Sequence, residues 1–186
     1  MNESVLSSHD PGGKIKTKLP PNVRGDAVFS PCGKYRCWLT RDWGPVNSPR
    51  VLWILMNPST ADAEHNDPTI TRCMRFTQSW GFTSLTIMNV MDYRATNPKK
   101  LLEPGVHPCS IGNIYSIGCA AGQSSLIVCA WGKLPPPLAR YGQNVKLFVP
   151  GEKKCLGYNS DGSPKHPLYL RANSKLLPYP AKRAIA

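Results

Sequence analysis

Two asparagines and one histidine stand where a sequence of this kind can do chemistry. Asn57 lies in MNPSTAD, Asn89 in TIMNV and His166 in KHPLYL, each at or after an apolar run. A side-chain amide can donate to a carbonyl and accept from an adjacent ring N–H, which suits the edge of a nucleobase, and a neutral histidine can donate to a second carbonyl. Pro58 accompanies Asn57. Ser59 and Thr60 offer hydroxyls, and with backbone N–H groups before a helix they suit a phosphate. Tyr93, Trp131 and Tyr169 are candidate stacking platforms, with a core role the alternative for Trp131. Arg94 can reach a phosphate or pair with Asp92. Lys153, Lys154 and Lys165 flank the last segment as a phosphate-facing surface, a solvated basic loop being the alternative. No Ser/His/Asp triad, phosphate-binding P-loop or G-x-G-x-x-G segment is present.

These residues need a scaffold that brings strand ends together. KYRCWLTRDWG alternates as a hairpin or edge strand, with Arg36, Trp38 and Thr40 on one face. RVLWILMN, SLTIMNVM, SLIVCAWG and VKLFVP read as four buried strands. Between the first two, DPTITRCMRFTQSW is helical, with Asp67 as its N-cap and Pro68 in its first turn. NPKKLLEPG reads as a short helix or loop and NIYSIGCAAGQ as a weak helix. The pattern predicts an α/β fold of three layers, with a mostly parallel central sheet flanked by helices. Residues 1–27 read as a flexible basic arm whose Lys14, Lys16, Lys18 and Arg24 can touch phosphates, and 28–186 as a single domain. In parallel sheets ligands sit beyond the carboxyl ends of the strands, so Asn57, Asn89, Asp92, Arg94, Trp131 and His166 are expected around one mouth.

Charge and cysteine use narrow the partner. The 186 residues carry 23 Lys and Arg against 11 Asp and Glu, a net charge of +12, which points to a polyanion, nucleic acid first. No apolar run reaches the roughly 20 residues that cross a bilayer, and no basic-then-apolar leader opens the chain, so the expectation is a cytoplasmic protein without a membrane partner. The seven cysteines include no C-x-x-C pair. They read as reduced thiols rather than a metal site.

Four segments together resemble the uracil-DNA glycosylase superfamily: MNPS at 56–59, TIMNV at 86–90, CAWG at 129–132 and HPLYL at 166–170. They come in that superfamily's order and span roughly residues 50–170. Met56 replaces its usual glycine, and LYL replaces Ser-Pro after the His-Pro. A more exact match is to the family of phage and bacterial proteins called DUF1643, which this chain resembles in NPSTAD, DPTI, AWG and HPLYL. The glycosylase resemblance implies a DNA-binding protein that takes a flipped pyrimidine, plain or modified, and hydrolyses its N-glycosidic bond. Asn57 would position water, with Asp62 as the anionic group. Asn89 would read the base and His166 would stabilise it as it leaves. No metal or organic cofactor is required. Two alternatives stay open. One is a non-catalytic binder of nucleic acid or nucleotides, as a phage-type inhibitor or sensor of a host system. The other is a transferase acting on modified bases.

Overall fold

The computed structural model describes residues 16–180. The strands are β1 (Thr17–Lys18), β2 (Arg24–Phe29), β3 (Arg36–Asp42), β4 (Val51–Leu55), β5 (His65–Asn66), β6 (Ser84–Asn89), β7 (Leu126–Cys129), β8 (Lys153–Cys155) and β9 (Leu177–Tyr179). The helices are α1 (Pro68–Ser79), α2 (Asn113–Gly122) and α3 (Ala139–Phe148). Seven strands form one sheet in the order β2-β3-β6-β4-β7-β8-β9, and β1 pairs with β5 apart from it. None of the described helices is long and apolar enough to cross a membrane.

The sheet is mixed, which corrects the expectation of a mostly parallel one. β6, β4, β7 and β8 run parallel, while β2 and β3 on one side and β9 on the other run antiparallel to their neighbours. Each of the three crossovers among these parallel strands carries a helix, α1, α2 and α3 in turn, as parallel pairing demands. The alternating strand Arg36–Asp42 forms a hairpin with β2, as one expected reading has it, but is not at an edge, since β6 pairs with its other side.

Alternate residues of the central strands feed two cores. Val51, Trp53 and Leu55 of β4 pack with Ile70, Cys73, Met74 and Phe76 of α1. Leu52 and Ile54 face the other way, onto Ile117 of α2 and Val145 of α3. Helix α1 begins where the sequence predicts. Asp67 Oδ1 accepts from the Ile70 N–H, and Pro68 occupies a first-turn position where it has no hydrogen bond to lose. Trp53 is fully buried. Its indole N–H donates to Thr77 Oγ1, and its ring stacks on Trp80, locking α1 to β4.

Two local expectations change, and the short helix or loop read at NPKKLLEPG holds. VKLFVP, expected as a strand, is the end of α3, and the fourth parallel strand is instead Lys153–Cys155. NPKKLLEPG contains a 3₁₀ turn, Pro98–Leu102, capped by Asn97. Residues 16–27, expected in the arm, carry β1 and the start of β2, with Lys16 paired to Asp62 and Arg24 bonded to the Gly44 carbonyl. The rest of the arm, Lys14 included, lies outside the described residues.

Candidate functional site

From β4 the chain crosses to β6 on one side, then returns past β4 to β7 on the other. The crevice beyond the carboxyl ends of β4 and β7 is therefore the topological switch point of the parallel strands, where ligands bind in sheets of this kind. A cavity of about 340 Å³ lies there, within the range of small-molecule sites. Its wall takes Met56 and Asn57 from the end of β4, Asn89 from β6, Trp131 and Gly132 after β7, and His166 from the late loop. Backbone bonds hold these ends together: Val90 N–H donates to the Leu55 carbonyl, Ala130 N–H to Ile54 and Gly132 N–H to Pro164.

Asn89 is buried on a strand of buried neighbours. Its Oδ1 accepts from Arg36 Nη2 at 3.1 Å. A guanidinium only donates, so the amide must turn its oxygen toward Arg36. Its Nδ2 is then the spare group, buried and without a hydrogen-bond partner among the described residues. Such a buried donor costs about 1–3 kcal/mol until an acceptor reaches it.

Arg36 comes from the start of β3 and also lines the cavity. Besides Asn89 it donates to the Ala61 carbonyl at 3.2 Å. Burial lowers its pKa to about 10, with the nearby Asp67 carboxylate acting in the opposite sense, so it is a cation at neutral pH.

Asn57 is fixed the other way round. Its Nδ2 donates to the carbonyls of Pro58 and Ala95, at 3.0 and 2.7 Å, leaving Oδ1 as the acceptor on this stretch of wall. Ser59 lines the cavity, its hydroxyl buried and without a partner among the described residues. Asp67 is the carboxylate of the wall, even as it caps α1.

His166 precedes the 3₁₀ turn Pro167–Tyr169, and its Nδ1 accepts from the Leu168 N–H at 3.4 Å. An accepting Nδ1 places the ring proton on Nε2, so that side of the ring is a donor. Gly132 has φ +77°, and a Cβ there would stand 3.4 Å from that of His166, so glycine lets the late loop settle against the end of β7. Trp131 is a core residue, edge-on to Tyr179, that still contributes to the wall; Tyr169 is exposed at the mouth beside His166.

Of the expected site residues, Asn57, Ser59, Asn89, Trp131, His166 and Tyr169 meet at this cavity. The rest stand elsewhere. Asp62 accepts from the N–H groups of Glu64 and His65 and from Lys16, so its carboxylate closes the turn into β5. Pro58 is buried behind Asn57, its carbonyl taken by Asn57 and the Ala95 N–H. Thr60 is buried outside the wall. Tyr93 bridges Tyr35 through backbone and meets its ring edge-on at 5.5 Å. Arg94 does not pair with Asp92; it lies over the Phe29 ring and donates to the Gly33 carbonyl. Asp92 instead holds Ser110 through its N–H and hydroxyl.

Lys153 and Lys154 are on β8, not on a loop facing the site. The first ammonium is bonded to the Gly151 carbonyl and the second to Glu152. Lys165 is exposed and runs along Gly157. The residues that sequence reasoning passed over are Arg36, read only as one face of an alternating strand, and Asp67, read as a cap. The cap reading of Asp67 holds and is incomplete. Nothing in the local pattern marks Arg36, because its partner lies 53 positions away.

A family model described as "Protein of unknown function (DUF1643)" matches residues 36–168. It begins at Arg36 and takes in every residue of the cavity wall but Tyr169. Neither a search of curated proteins nor one of solved structures found a match.

Proposed function

The chain belongs to the DUF1643 family, and from the chemistry of its cavity we propose that it takes up a pyrimidine turned out of a DNA strand and hydrolyses its N-glycosidic bond. The observation that carries this reading is the Asn89 amide. It is buried, held in one orientation by Arg36 and left with an unpartnered donor on a cavity wall. A base edge supplies the acceptor that the free protein lacks. Turning a base out of the stack costs a few kcal/mol, and a net charge of +12 offsets this through phosphate contacts.

The wall offers the remaining groups that the reaction uses. Asn57 Oδ1 accepts from a water and holds it toward C1′ of the sugar. The C1′–N bond breaks with its electron pair passing to the base. The water oxygen bonds to C1′ and sheds a proton to solvent. The Nε2–H of His166 donates to the base as negative charge develops there, the moment at which electrostatic stabilisation counts most. The resemblance of MNPS, TIMNV, CAWG and HPLYL to uracil-DNA glycosylase segments supports the reaction class. A binder without chemistry is the second reading. It is favoured by Asp67, the carboxylate of the wall, spending one oxygen on the α1 cap.

The test is release of free base from oligonucleotides carrying uracil or modified pyrimidines. Wild-type chain should release at least one base. His166→Ala should slow that release while leaving the thermal midpoint unchanged, since the ring sits half-exposed on a loop. Binding without release from any substrate would leave the binder, and no binding at the cavity would end both readings.

A further inference from the structure

We infer that Arg36 determines which pyrimidine the cavity accepts: by occupying Asn89 Oδ1 it makes the reading amide a donor alone, and so selects a base with an acceptor at ring N3, the cytosine type, over uracil and thymine. The inference rests on the base-recognition reading above and adds the substrate class.

The argument is one of hydrogen-bond supply. An unconstrained amide can turn and serve either kind of base. Here it cannot, because turning would set an NH₂ against the guanidinium of Arg36, donor against donor, in a buried position. The floor made by Arg36 and Asn89 then has no acceptor left. Asn89 Oδ1 is committed to Arg36, as is the Ala61 carbonyl. Cytosine presents N3 as an acceptor, which satisfies the Nδ2 that is otherwise without a partner. Its exocyclic amine needs an acceptor in turn, and Asp67, on the same wall, provides one. Uracil seated in the same register, as its attachment to the sugar requires, sets its N3–H against Asn89 Nδ2 and its O4 against the Asp67 carboxylate, donor on donor and acceptor on acceptor. An N–H buried without a partner is worth roughly a 5- to 150-fold loss of affinity.

The experiment uses the full chain and two otherwise identical DNA duplexes with one bulged nucleotide, either deoxycytidine or deoxyuridine. Binding is read by fluorescence anisotropy. Wild type should prefer the cytidine bulge by about 5-fold or more. Asn89→Asp keeps the shape, gives Arg36 its acceptor and turns an acceptor to the cavity, so the preference should reverse. Arg36→Met frees the amide to turn, and the preference should collapse. Should that variant not fold, Asn89→Asp carries the test alone. Equal binding of both bulges by wild type, or a preference unmoved in Asn89→Asp, overturns the role of Arg36 while leaving base recognition standing. If neither bulge binds better than the unbulged duplex, base recognition itself fails, and this inference with it.

Discussion

Replacing Asn89 with alanine should leave the free protein almost as stable as before, which is unusual for a buried polar residue. Two terms oppose each other. Alanine removes the acceptor of Arg36 Nη2, a bond to a charged donor at 3.1 Å worth about 1.5–3 kcal/mol. It also removes Nδ2, a buried donor with no partner, whose desolvation costs about 1–3 kcal/mol. The two nearly cancel because the lost volume opens into an existing cavity rather than a sealed void, so that water there takes the place of Oδ1 on Arg36. The net change should be within about 1 kcal/mol. Urea unfolding followed by the fluorescence of the five tryptophans measures it as a change in midpoint at constant slope. Repeating the measurement with an oligonucleotide carrying an unpaired pyrimidine completes the test. The ligand should raise the midpoint of wild type and raise that of Asn89→Ala much less, since stabilisation follows affinity. An oligonucleotide that raises the two midpoints equally would mean that Nδ2 meets no ligand. The base reading built on that donor would then be refuted.

Other perturbations test separate parts of the account. Asp67→Ala should destabilise by about 1 kcal/mol through loss of the α1 cap, with Asp67→Asn retaining most of it, both read from urea midpoints. DNA affinity should fall at least about tenfold between 50 and 200 mM salt, which two neutralised phosphates suffice to produce; anisotropy titrations indifferent to salt would exclude a phosphate-bound complex. Burial raises the Asp62 carboxyl, but the N–H groups of Glu64 and His65, the His65 ring and Lys16 outweigh it, so the folded pKa lies below the ordinary value. Its contribution is therefore present above the unfolded carboxylate range and lost as pH falls through the depressed folded value. Acid titration of wild type against Asp62→Asn should show the variant with the shallower decline on that limb.

Much of the scaffold follows from local sequence. The apolar runs at β4, β6 and β7 read as strands buried on both faces and are so, and Asp67-Pro68 before an amphipathic stretch reads as a helix start and is one. Because parallel strands end along one edge of a sheet, the meeting of Asn57 and Asn89 at one cavity was also readable from their positions at the ends of two of those runs; His166 reaches it from the loop after β8, not from a strand at VKLFVP. Short-range patterns failed where two structures share one pattern: VKLFVP suits a strand or the last turn of a helix, and packing of Val145 under the sheet made it α3. Strand order escaped local reading as well. β3 enters beside β6 in the antiparallel sense, a pairing between segments about 40 residues apart that no local period encodes. That insertion brings Arg36 against Asn89 and settles which atom of the amide is spare. Sequence determines that a donor-acceptor side chain sits at the end of β6; only the tertiary fold, by pressing a cation with no acceptor against its oxygen, decides that the amide nitrogen is the atom left over.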